Sequence, residues 1–126
     1  MDVDLEIGTE HTATLVVEAR HTAERLGSGD LPVLGTPAVL AFAEATCVAL
    51  VGSGISPADT TVGTHASIDH LKATGLGKTV AATATLRATD GRKLAFDVMV
   101  AEEGEVVATV RHERVVVDRD RFMARI

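Results

Sequence analysis

One carboxylate in this sequence stands where a globular protein normally places apolar side chains. Glu44 is the only charged residue between Pro37 and Ala58. Its neighbours at three and four residues along a helix are apolar or small, namely Leu40, Ala41, Cys47 and Val48. A carboxylate that loses hydration in this way is a common catalytic base or nucleophile. The structural alternative is a Glu at a solvated helix edge or in a buried ion pair, and the pattern alone leaves both open.

A histidine and an arginine also fall in apolar registers, in this case of predicted strands. His70 ends an alternation that predicts an inward side chain, with same-face partners Val62, Thr64, Ala66 and Ile68. It is then either a hydrogen-bonded core residue or a proton carrier. Arg114 lies in a register where an unpaired guanidinium would be costly, with Val106, Ala108, Val110 and Val116. Arg114 therefore requires an anion, supplied by Glu44, by another internal carboxylate, or by a phosphate or carbonyl of a ligand.

Thr36 and Gly63 are the remaining candidates, and each has a structural interpretation beside the functional one. Thr36 directly precedes Pro37 at the start of the apolar run, which is the position of a helix N-cap. Gly63 interrupts a β-rich segment, as a glycine does at a β-bulge or where a ligand approaches the backbone.

Several common chemistries lack their motifs. The sequence contains no Gly-rich phosphate loop, no nucleophile elbow and no HExxH pair. His11, His21 and His112 have no metal-ligand spacing with one another or with Cys47. We therefore predict neither a metal site nor a bound cofactor, so that any activity must come from dispersed side chains.

Composition narrows the class of protein further. The length of 126 residues predicts one domain over 1–126. A net charge of −6 and the absence of Trp and Tyr argue against a nucleic-acid partner. The longest apolar run, 38–51, is too short to cross a bilayer and contains Glu44, so we predict no membrane association. An acidic N-terminus and a lone cysteine suit a cytoplasmic protein.

The elements that must position these residues follow a simple order. A β-rich run at 12–18 precedes an irregular stretch at 19–35, a loop or lid candidate, and a predicted helix at 37–51. Four further strands are predicted at 61–71, 78–89, 93–102 and 105–118, with tight hairpins at Asp90-Gly91 and Glu103-Gly104. With these four strands joined as a meander, the order predicts an α+β domain with an antiparallel sheet packed against a single helix. Because the helix is apolar almost all round, the sheet must wrap around it in the hotdog arrangement, and its open edges favour a homodimer.

The spacing of five sites gives this chain a family resemblance. It resembles the fluoroacetyl-CoA thioesterase branch of the hotdog thioesterases over nearly its whole length. The likeness is carried by Gly35-Thr36, by Glu44 within Ala43-Glu44-Ala45-Thr46-Cys47, by Val62-Gly63-Thr64 seven residues before His70, by Asp90-Gly91-Arg92-Lys93-Leu94, and by His112-Glu113-Arg114.

The resemblance implies a hydrolase that releases a free acid and CoA from a short or medium acyl-CoA. Thr36, Glu44 and His70 would be its catalytic set, while Gly63 and Arg114 would contact the thioester. Glu44 would attack the thioester or activate water, and His70 would manage protons. CoA would enter only as part of the substrate, in a pocket between two subunits of a homodimer, and whether dimers pair into tetramers stays open.

One segment departs from the family pattern. The fluoroacetyl-selective type has a Phe-rich lid before the helix, whereas this chain has Gly27-Ser28-Gly29-Asp30-Leu31-Pro32-Val33 there. The acyl group is therefore the open question. Two other functions remain as alternatives: a hydratase or dehydratase of CoA-linked substrates, and a non-catalytic acyl-CoA or small-ligand binding protein in which Glu44 and Arg114 form a static pair.

Overall fold

A computed structural model describes residues 3–126 of the chain as one antiparallel sheet with a long helix against one face. In chain order the elements are β1 (Glu10–Val16), a 3₁₀ turn (Ala19–His21), α1 (Ala23–Leu26), α2 (Thr36–Gly52), β2 (Asp59–His70), β3 (Thr79–Asp90), β4 (Lys93–Glu102), β5 (Glu105–Asp118) and α3 (Arg119–Ala124). The strands lie in the order β1-β3-β4-β5-β2, which leaves β1 and β2 at the two edges. The α+β class is as predicted. The predicted meander of all four later strands is wrong, because only β3, β4 and β5 are consecutive neighbours and β2 pairs with β5 instead of β3.

The core lies between α2 and the inner face of the sheet. The helix contributes fully buried Val39, Ala43 and Cys47. Alternate residues of β3 and β4 face them, namely Val80, Ala82, Ala84 and Leu86, and then Leu94, Phe96, Val98 and Val100. Alanines on β3 leave room for the helix to approach, and burying each Val or Leu contributes about 1.5–3 kcal/mol.

The start of α2 differs by one residue from the prediction. Thr36 is the first helical residue and Gly35 is the N-cap, so the N-cap role predicted for Thr36 is wrong. Gly35 occupies that place because its backbone packs against α1, where a Cβ atom would lie 3.2 Å from the backbone of Ala23. The Gly35 N–H also donates to the carbonyl of His21. The Thr36 hydroxyl is consequently free for another partner.

A β-bulge in β2 changes which residues face the helix. The register with β5 shifts between Gly63 and His65, so the strand exchanges faces at this point. Thr61 is buried and Thr64 is exposed, while His70 is partly buried. The prediction that Val62 and Thr64 face inward is thus wrong, whereas the inward direction predicted for His70, after the bulge, is correct. One extra residue in a strand reverses the face to which each following side chain points.

The connections between elements are partly as predicted. Asp90 pairs with Lys93 and Glu102 with Glu105 across two-residue turns, and Glu103 and Gly104 both adopt positive φ angles of the kind that tight hairpins favour. The predicted loop at 19–35 contains the 3₁₀ turn and α1. A bridge between Thr22 and Leu34 closes the segment on itself, and a bridge between Val33 and Gly75 ties it to the rest of the domain. Within residues 3–126, no helix has the length and apolar character needed to cross a membrane.

Candidate active site

Thr36 and His70 form the first half of the candidate site. The first residue of α2 meets the last residue of β2, and Thr36 Oγ1 lies 2.8 Å from His70 Nδ1. Both residues line a cavity of about 260 Å³ whose wall includes Ser28 and Val33 of the segment before α2. The second ring nitrogen, Nε2 of His70, is buried and has no hydrogen-bond partner among residues 3–126. An unpartnered buried nitrogen is costly unless another group meets it.

Glu44 and Arg114 form the second half. Arg114 Nη1 donates to Glu44 Oε2 at 3.1 Å. The guanidinium is fixed from two further directions, because Nε donates to the Thr61 hydroxyl at 2.8 Å and Nη2 donates to the Thr61 carbonyl at 3.1 Å. The Arg114 side chain is 8% exposed and that of Glu44 is 40% exposed. The internal anion that Arg114 requires is therefore Glu44, whose carboxylate remains accessible.

Gly63 makes the close approach of β2 to this ion pair possible. A Cβ atom at this position would lie 2.7 Å from Glu44 Oε2 and 3.2 Å from Arg114 Nη1. The bulge interpretation of Gly63 is confirmed by the register shift beside it. The groups that approach its backbone are the side chains of Glu44 and Arg114. A side chain at this position would displace the carboxylate.

His112 is a site residue that the sequence analysis missed. Its ring is 2% exposed, and its Nε2 lies 3.0 Å from Arg114 Nη1 and 3.5 Å from Glu44 Oε2. In the sequence, His112 was weighed only as a metal ligand and as a neighbour of Arg114 in the motif His112-Glu113-Arg114. The alternation that placed Arg114 inside also places His112 inside, since the two residues are two apart on β5.

The two halves lie apart within one protomer. Thr36 and Glu44 are eight residues apart on α2, a rise of about 12 Å, and Gly63 and His70 are seven residues apart on β2, a span of roughly 23 Å. The helix therefore runs against the edge strand with Thr36 beside His70 at one end and Glu44 beside Gly63 at the other. The structure brings together the members of each half, but it does not bring the Glu44 carboxylate to His70.

Cys47 lies one helical turn after Glu44 and does not compete with it as a nucleophile. Burial raises the pKa of the Cys47 thiol to about 12. The positive charge of Arg114 acts to lower this pKa, and the negative charge of Glu44 acts to raise it further. The thiol is thus protonated near neutral pH, and only the thiolate is strongly nucleophilic.

In the part of the chain that the structure describes, no three His, Cys, Asp or Glu side chains are grouped to hold a metal ion.

The sequence and the fold match one family of enzymes. The sequence profile of the fluoroacetyl-CoA-specific thioesterases matches residues 17–120. The fluoroacetyl-CoA thioesterase of Streptantibioticus cattleyicolor is 27% identical over 128 aligned positions, which cover 97% of this chain and 92% of that enzyme.

Solved structures agree with this match. A structure of a fluoroacetyl-CoA thioesterase superposes with a TM-score of 0.89 at 28% identity, over 96% of this chain and 94% of that one. A mutant of such an enzyme in complex with acetyl-CoA superposes with a TM-score of 0.91 at 26% identity, over 96% of each chain. A hot-dog-like protein from Thermanaerovibrio acidaminovorans gives a TM-score of 0.87 at 23% identity, over 96% of this chain and 90% of that one. The hotdog fold is confirmed, and the chain belongs to the fluoroacetyl-CoA-specific thioesterase family of thioester hydrolases.

Proposed function

We propose that this chain hydrolyses short or medium acyl-CoA thioesters to the free acid and CoA, with Glu44, His70 and Thr36 as catalytic residues. The observation that carries the proposal is the geometry of Glu44. Its Oε2 is held by the Arg114 guanidinium at 3.1 Å, and no donor contacts its Oε1 among residues 3–126. A fixed, partly exposed carboxylate with one unoccupied oxygen is suited to attack a carbonyl carbon or to take a proton from water.

The reaction needs the same groups in either form. Glu44 Oε1, or a water molecule that it deprotonates, adds to the thioester carbonyl carbon, and the C–S bond then breaks to release the CoA thiolate. If Glu44 itself attacks, water then hydrolyses the resulting acyl-enzyme anhydride. His70 supplies the proton that the leaving sulfur takes up. Its Nδ1 contacts the Thr36 hydroxyl at 2.8 Å, and because a hydroxyl can both donate and accept, Thr36 supports either tautomer of the ring.

The proposal includes a homodimer, because the two halves of the site lie apart in one protomer. Strand β2 is an edge strand with an unpaired outer side, which is a template for pairing with another strand. Antiparallel pairing of two β2 strands about a two-fold axis between Ala66 and Ser67 places Gly63 of one protomer opposite His70 of the other. Glu44 and Arg114 of one protomer would then face Thr36 and His70 of its partner across the interface.

We also propose that the enzyme works without a metal or bound cofactor in a cytoplasmic setting. The chemistry above uses only protein groups, and the lone, buried thiol of Cys47 suits a reducing compartment. Activity should survive a chelator. Complete loss in EDTA that a divalent ion restores would overturn the metal-free mechanism.

One observation favours a second candidate function. The Glu44–Arg114 pair satisfies a buried guanidinium, as it would in a protein that only binds acyl-CoA. A panel of acyl-CoAs of increasing chain length, assayed for free thiol and for thermal stabilisation, separates the two. We expect thiol release from at least one short or medium acyl-CoA, whereas stabilisation without any thiol release would establish the binding protein.

A further inference from the structure

His112 contacts the Glu44–Arg114 pair but takes no step in the reaction proposed above. Its ring projects from β5 and is 2% exposed. The Phe96 ring stacks near it, with the ring centroids 6.5 Å apart and the planes inclined by 30°. Packing of this kind limits rotation of the imidazole, so the direction in which each ring nitrogen points is fixed.

The hydrogen bonds of His112 define its protonation state. Nδ1 lies 2.7 Å from the backbone carbonyl of His65, which can only accept, so Nδ1 carries a proton and donates. Nε2 lies 3.0 Å from Arg114 Nη1, which can only donate, so Nε2 presents a lone pair and accepts. A proton on Nε2 would face the guanidinium N–H, and its other neighbour, Glu44 Oε2, is more distant at 3.5 Å. The ring is therefore the neutral Nδ1–H tautomer.

This tautomer completes the restraint on Arg114. The two hydrogens of Nη1 have separate acceptors, Glu44 Oε2 and His112 Nε2. Because Thr61 holds Nε and Nη2, the guanidinium plane has no freedom to turn away from the carboxylate. The other end of His112 is tied to the β2 bulge through the carbonyl of His65, where the register with β5 shifts. One buried ring thus links the edge strand to the position of Glu44.

We propose that His112 is a positioning residue: its Nε2 lone pair orients the Arg114 guanidinium so that Glu44 keeps one carboxylate oxygen fixed and the other directed at the thioester. This role rests on the function proposed above. The ring exchanges no proton with substrate. Its contribution is to hold the reacting geometry, and a displacement on the order of 1 Å in such a geometry can cost about 100-fold in rate.

Two amide substitutions separate the two ends of the ring. In His112→Gln the side-chain oxygen reaches the place of Nε2 and can accept from Arg114, but the donor to the His65 carbonyl is lost. In His112→Asn the amide nitrogen reaches the place of Nδ1 and can donate to His65, but the acceptor for Arg114 is lost. Each variant removes one hydrogen bond and keeps the other. We therefore expect their melting temperatures to fall by similar amounts, so that each variant is a control for the other.

We expect kcat to distinguish the variants. His112→Gln should keep kcat within about threefold of the wild type, and His112→Asn should lower it roughly 10- to 100-fold with KM nearly unchanged. Equal kcat values in the two variants, or a greater loss in His112→Gln, would overturn the positioning role.

A second readout does not depend on turnover. Nitrogen-15 NMR of the Arg114 guanidinium should show slow rotation in the wild type and in His112→Gln, and rotation at least severalfold faster in His112→Asn. Equal rotation rates in all three proteins would overturn the proposal even if the enzyme is active. Failure of the wild type to release CoA would instead refute the proposed function, and the rotation rates would still decide whether His112 positions Arg114.

Discussion

At Glu44 the sequence pattern allowed a catalytic and a structural interpretation, and the structure contains features of both. The carboxylate is paired with a buried guanidinium, as a structural residue would be. It is also 40% exposed and has one oxygen without a donor among residues 3–126, which a purely structural partner does not need. The ion pair fixes the carboxylate, and the exposure makes it available to substrate.

Substitution of Glu44 by Gln should separate chemistry from stability. The Gln amide oxygen can still accept from Arg114, while the charge, basicity and nucleophilicity are lost. We expect kcat to fall by at least roughly 100-fold. The free energy of unfolding should fall by only about 1–2 kcal/mol, because the pair is partly solvated rather than fully buried. Steady-state kinetics and thermal melts of the variant test this, and near-normal kcat with a large fall in melting temperature would make Glu44 a structural residue.

Cys47 gives the protein a pH dependence of stability on the alkaline side. Burial raises the pKa of its thiol from 9.0 to about 12 in the folded chain. Between these values the unfolded chain loses the thiol proton and the folded chain keeps it. The free energy of unfolding should therefore fall as pH rises above 9, by about 1.4 kcal/mol per unit. Denaturant unfolding at about pH 8 and about pH 10 measures the slope.

Other groups also titrate in this range, so the control is Cys47→Ala. That variant lowers stability at every pH because it removes buried volume, but it should lack the extra slope. Identical slopes in the two proteins would show that the Cys47 thiol ionises equally in the folded and unfolded chains.

Among the elements, the end of β2 and the start of α2 show how far the sequence alone could predict this site. The bounds of β4 and β5 are as predicted, and those of α2 are within one residue, because glycine-containing turns and a continuous apolar run mark them. A β-bulge was one of the two interpretations of Gly63, but the change of face that the bulge causes was not predicted, since a period of two along a strand does not reveal one added residue. The short helices α1 and α3 were also missed, because neither carries an apolar stripe of sufficient length.

The candidate residues were found for a related reason. Glu44 and Arg114 interrupt apolar patterns, which makes them visible in a sequence, and their pairing was one of the stated alternatives. The partner of Thr36 was not visible, because the position of a side chain relative to a strand 34 residues away depends on the packing of α2 across the sheet. The resemblance implied a catalytic place for Thr36, but the contact of its hydroxyl with His70 became visible only once Gly35 was found to be the N-cap.

The bulge predicts a specific effect of Gly63→Ala. The added methyl group would lie 2.7 Å from Glu44 Oε2, so the carboxylate or the strand must move. We expect kcat to fall at least roughly tenfold. The matched control is Gly52→Ala at the end of α2, where an added Cβ meets no atom within 4 Å, and which should leave kcat unchanged. Equal kcat in the two variants would show that the close approach at Gly63 has no part in the site.

The segment before α2 predicts the selectivity for the acyl group. Ser28 and Val33 line the cavity beside Thr36 and His70, and among residues 3–126 no Phe, Tyr or Trp takes part in that wall. We therefore expect kcat/KM for fluoroacetyl-CoA and acetyl-CoA to agree within about tenfold, since a pocket without a specific partner for fluorine gains little from it. A much larger preference for the fluorinated substrate, measured on both thioesters under the same conditions, would locate selectivity outside this segment.

At the scale of the whole molecule, the division of the site into two halves is the feature that most constrains function. Thr36 and His70 meet at one end of the α2–β2 contact, and Glu44, Gly63 and Arg114 meet at the other. Edge strand β2 carries both ends. In a homodimer through this edge, each chain would contribute Thr36 and His70 to one active site and Glu44, Gly63 and Arg114 to the other. The dimer would also cover an edge that is otherwise open to aggregation.

Subunit complementation tests this central claim most directly. Glu44→Gln and His70→Ala proteins should each be inactive, and each retains the half that the other lacks. After the two are mixed, dissociated and reassociated, half of the dimers should be mixed, and each mixed dimer would contain one intact site and one doubly defective site. We predict recovery of roughly a quarter of the wild-type thioesterase activity, with dimers verified by light scattering. No recovery from mixed dimers would mean that each site is built within one chain, and the two-subunit active site would be refuted.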